Sequence, residues 1–182
     1  MKNKLLGVIS LGCSKNRLDT EGMLYALLQN GFEITEELDQ ADLLIVNTCS
    51  FIQSAKEESI EAILQAGEIK SQKEGCKLLV TGCLPERYRE ELARELPEVD
   101  AFVGVNQYGK IVDIVNRMFE GERIAEFVER AALPLGRVRT TPKHLAYVRI
   151  AEGCDHACAY CAIPSIRGPY RSRPMEEIIE EC

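Results

Sequence analysis

The stretch LLIVNTCSFIQSAKEESIEAILQAGEIK, residues 43–70, decides the fold. Leu43 to Val46 is an unbroken aliphatic run, the pattern of a strand covered on both faces. From Ser50 to Lys70 the spacing becomes helical, with Ile52, Ala55, Ile60, Ile63 and Leu64 set towards a sheet and Lys56, Glu57 and Glu61 towards water. A buried strand leading into such a helix is half of a parallel crossover.

The same alternation extends in both directions. Leu5–Ile9 predicts a first strand, and Asp19–Asn30 predicts an amphipathic helix through Met23, Leu24, Leu27 and Leu28, stopped by Gly31. Phe32–Ile34, Leu78–Val80 and Val99–Val103 predict further short strands. Glu86–Leu96 and Lys110–Phe119 predict helices, the latter ended by Gly121. The expectation for residues 1–128 is an α/β domain, a doubly wound parallel sheet with helices on both faces and strand order 2-1-3-4-5.

From 129 to 142 the pattern fails, and RAALPLGRVRTTP reads as a linker. Leu145–Ile150, just after His144, then predicts a strand, and Pro174 is expected at the first helical position before MEEIIEEC. Strand, loop and helix make one unit of a (β/α) barrel. Even a partial barrel takes roughly 150–250 residues, and 143–182 supply about 40. The expectation is the truncated start of a barrel, whose single unit is exposed and poorly packed.

Cysteine usage and charge narrow the function. No apolar run is long enough to span a bilayer and nothing reads as a signal peptide, so a cytoplasmic protein without a membrane partner is expected. Eight cysteines in a reducing compartment point to metal ligands, catalytic thiols or inert buried residues before disulfides. The formal charge of −7 is uneven. Residues 1–136 hold 15 Lys/Arg against 23 Asp/Glu, whereas 137–173 hold seven (Arg137, Arg139, Lys143, Arg149, Arg167, Arg171, Arg173) against Glu152 and Asp155. A basic field of this kind favours an anionic partner such as a carboxylate, a phosphate or ribosomal RNA.

Cys154, Cys158 and Cys161 stand in EGCDHACAYCAIP with C-x3-C-x2-C spacing on one loop. Three clustered thiols suit a cubane iron–sulfur cluster with one iron left open. The alternatives are a zinc knuckle completed by His144 or His156, or a redox-sensing patch. Cys13, Cys49 and Cys83 each follow a predicted strand, and in the order 2-1-3-4-5 those three strands are neighbours. Their thiols then converge at the carboxyl edge, where an open α/β sheet binds ligands. Cys76 opens a strand at the opposite edge and Cys182 lies in the last helix, so neither is expected to ligate.

Taken together, SLGCSKNRLDTE, NTCSFIQSAKEESIEAIL, TGCLPERY and EGCDHACAYCAIPSIRGPYRSRP resemble the methylthiotransferases, a branch of the radical S-adenosylmethionine enzymes. The resemblance covers the whole chain, and the wording at the first two cysteines is similar to the group that modifies an aspartate β-carbon of a small-subunit ribosomal protein. It implies two [4Fe-4S] clusters and S-adenosylmethionine. Cys154, Cys158 and Cys161 would hold the cluster that cleaves S-adenosylmethionine, with Tyr160 beside the adenine, and Cys13, Cys49 and Cys83 an auxiliary cluster that presents sulfur. Gly153 would permit close backbone approach to the first cluster. Arg167, Arg171 and Arg173 would meet a substrate carboxylate or rRNA, or lie on the surface. The implied partners are the ribosomal protein or ribosome and an electron donor. The rival readings are a tRNA methylthiotransferase and an iron–sulfur module without radical chemistry.

Overall fold

The computed structural model describes residues 3–105, 107–127 and 136–182. Its body is a parallel sheet of β1 (Lys4–Ser10), β2 (Phe32–Ile34), β3 (Leu43–Thr48), β4 (Lys77–Gly82), β5 (Ala101–Val103) and β6 (Ile124–Glu126). The order is β2-β1-β3-β4-β5-β6, which is the expected order with β6 added at the edge. Ile124–Glu126 is too short to show a period in sequence, and it is a strand because it pairs with β5.

The aliphatic run sorts as a doubly wound sheet requires. Leu43 and Ile45 join Met23, Leu24 and Leu27 of α1 (Ser14–Leu28) and Ile114, Val115 and Met118 of α4 (Ile111–Phe119) in one core. Leu44 and Val46 join Ile63 and Ala66 of α2 (Gln53–Ser71) and Leu84 and Leu92 of α3 (Cys83–Glu95) in the other. All four strand residues are buried, each contributing about 1.5–3 kcal/mol of transfer free energy.

Three helices differ from expectation. α2 starts at Gln53 and buries Ser59, Ile63, Ala66 and Gly67, leaving Ile52 and Leu64 exposed, because the small residues allow closer approach to the sheet. α3 starts at Cys83 and kinks at Arg89, whose φ is +35°. α1 starts five residues before Asp19, at Ser14, and buries Asn16, Asp19 and Glu21 as well as its apolar side.

Those polar residues are buried because residues 136–182 cover them. The linker residues 129–135 lie outside the described residues; beyond them Val138 N donates to Glu21 O (3.1 Å). Leu145–Ile150 is not a strand. Only β7 (Ala151–Glu152) pairs, antiparallel with β8 (Arg171–Ser172), since a strand forms only where a neighbour meets its backbone groups. His144 accordingly lies in an exposed turn. α5 (Ile163–Arg167) and α6 (Met175–Glu181) follow, with Pro174 as the N-cap of α6 rather than its first residue. The unit is not loosely exposed: Ile166 is buried in the core that α1 and α4 form, and Ala162 packs against it.

Candidate functional site

The carboxyl ends of β1, β3 and β4 lie side by side, with Ser10 paired to Asn47 and Asn47 to Thr81. Cys49 and Cys83 are each two residues beyond that row and Cys13 is three beyond it. Cys13 is the N-cap of α1 and Cys83 the first residue of α3, so both thiols sit at helix amino ends, where the backbone dipole favours negative charge. Gly12 and Gly82 make the turns possible. Gly12 has φ +89° and a Cβ there would stand 3.1 Å from Cys49 Sγ; Gly82 has φ +101° and a Cβ would stand 2.5 Å from Asn47 Oδ1. Any other residue would fill the space between the thiols or break the turn.

Asn16 ties the three strand ends together. Its Nδ2 donates to Leu11 O (3.1 Å) and Thr48 O (2.8 Å), and its Oδ1 accepts from Cys83 Sγ (3.6 Å). Ser50 Oγ donates to Cys83 O (3.0 Å), and Cys49 N donates to Ser59 Oγ (3.0 Å). Burial pushes the Cys83 thiol up to about 11; Arg167 opposes the rise, while Cys49 and Cys13 add to it. A thiol so placed keeps its proton until a metal ion binds the sulfur and displaces it. An open cavity of about 480 Å³ reaches Cys13 beside Ser10, Gly12, Arg17, Thr140 and Tyr147.

The second triad lies on the loop after β7. Cys154 and Cys161 are half-buried, Cys158 is exposed, and Tyr160 is 92% exposed. Cys154 N donates to Gly168 O (3.1 Å) and Cys161 N to Cys158 O (3.0 Å). Gly153, at φ +76°, has its Cβ position filled by the carbonyl oxygens of Pro169 and Gly168, so the returning chain already demands glycine there. His156 is exposed on the loop, and Cys76 is buried ahead of β4 away from the carboxyl edge.

Among the described residues no three His, Cys, Asp or Glu side chains are arranged to hold a single metal ion. A cubane spreads its thiolates over several irons, wider apart than ligands sharing one zinc. The donor set fits such a group at the sheet edge: three thiols at adjacent strand ends, helix amino ends behind two of them, and a glycine keeping the space beside Cys49 clear.

Sequence reasoning missed what joins the triads. Asp19 is fully buried, and its carboxylate binds Arg149 through Oδ1 and Arg167 through Oδ2 (2.7 Å). Tyr108 OH donates to the same Oδ2 (3.3 Å). Lys15 Nζ reaches Glu152 Oε1 (3.2 Å) and Ala151 O (3.1 Å). Glu152, itself buried, faces Arg149 (3.4 Å) and Arg167 (3.6 Å). Glu21 accepts from Arg137 (2.6 Å) and from the backbone and hydroxyl of Thr140 (both 2.7 Å). All three α1 residues, Lys15, Asp19 and Glu21, come from the SLGCSKNRLDTE motif, whose polar positions therefore grip the segment that carries the second triad.

This corrects the reading of the arginines. Arg167 is 3% exposed and Arg173 7%, and Arg171 is half-buried, so they do not form an exposed surface set. Arg173 pairs with Glu181 and Glu177 and donates to Arg149 O (3.0 Å). Four of the seven cations of the basic stretch are thus taken up in internal ion pairs.

Known proteins are similar to this chain along nearly all of its length. The chain is 51% identical over 97% of its length to a protein of Clostridium tetani named ribosomal protein uS12 methylthiotransferase RimO. It is 47% identical over 97% to one of that name from Symbiobacterium thermophilum, and 46% over its whole length to one from a Thermoanaerobacter species. It covers 40%, 37% and 42% of those relatives respectively, about two fifths of their length. The profile of the Uncharacterized protein family UPF0004 matches residues 6–104, from β1 through β5 and all three cysteines of the sheet edge. With more than half of its residues so matched, the chain belongs to the UPF0004 family.

Proposed function

We propose that this chain is part of a radical S-adenosylmethionine methylthiotransferase acting on an aspartate of a small-subunit ribosomal protein, in the cytoplasm, with an electron donor as its other partner. The observation that carries the reading is the meeting of three thiols at adjacent ends of β1, β3 and β4, in a chain that also bears a C-x3-C-x2-C loop docked on α1. Its likeness to relatives named for uS12 methylthiotransfer supports the substrate class. No helix among the described residues is long and apolar enough to cross a membrane.

In this reading Cys13, Cys49 and Cys83 hold one [4Fe-4S] cluster and Cys154, Cys158 and Cys161 the other, with S-adenosylmethionine. These groups supply a carbon radical and a sulfur for insertion into an unactivated C–H bond. The chain's own residues do the positioning. Tyr160 presents an open ring face beside the second triad, suited to stacking on an adenine. The amino ends of α1 and α3 carry Cys13 and Cys83 and turn their backbone dipoles towards a negatively charged cluster. The Asp19, Arg149, Arg167 and Glu152 ion pairs hold the two triads in a fixed relation, which is needed if a substrate carbon made reactive at one is to meet sulfur presented at the other. The cavity beside Cys13 gives a small molecule or side chain access to that thiol.

Anaerobic reconstitution with iron and sulfide tests this, with iron counting and electron paramagnetic resonance before and after adding S-adenosylmethionine. Two clusters, one of them altered by S-adenosylmethionine, are expected. One bound zinc, or two clusters that ignore S-adenosylmethionine, would sink the radical reading. Methylthiolation of tRNA but not of the ribosomal protein by an enzyme carrying this chain would transfer the substrate to RNA.

A further inference from the structure

Arg167 occupies a place that no ligand assignment uses. It closes α5, six residues after Cys161 in the chain, yet its guanidinium lies against the other triad. Nη1 is bound to Asp19 Oδ2 (2.7 Å), and Nη2 donates to Asn16 Oδ1 (2.7 Å) and points at Cys83 Sγ (3.9 Å). Asn16 is itself locked by Leu11 O and Thr48 O, so the fork has one orientation. The group is 3% exposed, and an arginine does not give up its proton.

From this geometry we infer that Arg167 is a positioning residue for the auxiliary cluster: it donates a charge-assisted N–H···S bond to the Cys83 thiolate and holds that cluster's reduction potential up. The inference rests on the reading that Cys13, Cys49 and Cys83 bind the cluster. Once Cys83 has lost its proton its sulfur no longer donates to Asn16 Oδ1, and Arg167 becomes its facing donor. A cluster gains one negative charge on reduction, and a fixed cation shielded from water stabilises the reduced state more than the oxidised one. Among the described residues the surrounding charges leave a surplus cation: Lys15, Arg149 and Arg167 pair with Asp19 and Glu152, and the one further carboxylate that Arg167 meets, Glu86, has Arg89 as its own partner. Because Arg167 belongs to the segment that carries Cys154, Cys158 and Cys161, docking of that segment and the electronic state of the sheet-edge cluster are linked through one side chain.

The test uses this 182-residue chain with Cys154, Cys158 and Cys161 all changed to Ala, so that only the sheet-edge triad can be loaded. A dithionite titration followed by electron paramagnetic resonance gives the midpoint potential with Arg167, Arg167→Gln and Arg167→Lys. For Arg167→Gln we expect the reduced-to-oxidised ratio at fixed potential to fall at least tenfold, about 59 mV for one electron, with Lys restoring part of the loss. A role limited to bracing the fold predicts a lower melting temperature with an unchanged midpoint, and that result overturns the inference. Should Arg167→Gln fail to fold, pulsed resonance on the Arg167 protein grown with 15N-guanidinium arginine decides. A nitrogen coupling to the reduced cluster supports the inference, and its absence refutes it. Failure of the Arg167 protein to take up iron at all overturns the parent reading of Cys13, Cys49 and Cys83, a result distinct from a loaded cluster whose potential does not move.

Discussion

Replacing Asp19 by Ala tests how the two halves are held together. Asp19 has no solvent exposure and sits between Arg149 at 8% and Arg167 at 3%, so its removal leaves two guanidinium groups buried without their shared counter-ion. Removing one partner of a buried pair costs about 3–5 kcal/mol, and the Tyr108 hydroxyl, which keeps Thr81 as a neighbour, loses one hydrogen bond worth about 0.5–1.5 kcal/mol. Part is recovered, because Arg149 keeps Lys15 O (3.1 Å) and Arg167 keeps Asn16 Oδ1 (2.7 Å). The loss also has a ceiling, since the arginines regain water once residues 136–182 leave the sheet, so it cannot exceed the docking free energy. The expected value is about 3 kcal/mol, on the order of 6–12 °C in melting temperature for a chain of this size. Hydrogen exchange locates it: amides of α5 and β7 lose protection while those of β3 and β4 keep theirs. A loss below about 1 kcal/mol with α5 still protected would refute the claim that this carboxylate is the clasp.

Three other outcomes follow from the geometry. Gly82→Ala combines φ +101° with a Cβ placed 2.5 Å from Asn47 Oδ1, so it is expected to lower the urea midpoint by the equivalent of more than about 1–3 kcal/mol; Gly31→Ala, at φ +85° with nothing within 4 Å, loses only about 1–2 kcal/mol of backbone strain. Burial alone would raise the Glu152 carboxyl above its ordinary 4.5, but Arg167, Arg149 and Lys15 outweigh it and hold it lower. A depressed carboxylate stabilises the fold above its unfolded value and loses that contribution as pH falls, so urea midpoints should drop below about pH 4.5, less steeply in Glu152→Gln. Cys83→Ser is expected to abolish iron uptake at the sheet edge, whereas Cys76→Ser, at a buried site on the opposite edge, leaves the iron count unchanged and lowers only stability, as counting iron per chain will show.

The sheet was legible because its signal is local. Leu43–Val46 has no choice but to be covered on both faces, and three cysteines falling just after β1, β3 and β4 need only the strand order to bring them to one edge. The segment after the linker was not legible, because its structure is decided by what it touches. Leu145–Ile150 alternates like a strand, yet ladder pairing with β8 is confined to Ala151 and Glu152, while Arg149 turns inward to Asp19, 130 residues away in the chain.

α1 shows why the omission was systematic. Looking for an apolar stripe finds Met23, Leu24 and Leu27 and begins the helix at Asp19, so Lys15 and Asn16 fall outside it and Asp19 is only its first residue. They are a second interface on the same helix, and a helix buried on two sides by unlike chemistries has no single amphipathic direction. The clue lay in the charge distribution, which was read as attraction to an outside anion. Residues 1–136 carry 15 cations against 23 anions, a surplus of eight negative charges, and 137–173 carry seven against two, a surplus of five positive ones. Opposite surpluses on two parts of one chain are complementary to each other before they are complementary to anything else, because intramolecular association costs less entropy than capture of a free partner. The buried pairs of Asp19 with Arg149 and Arg167, and of Glu21 with Arg137, are where that complementarity is spent. An excess of arginine beside a cysteine motif therefore points first to a clasp within the chain, and to nucleic acid only for the cations the clasp leaves over.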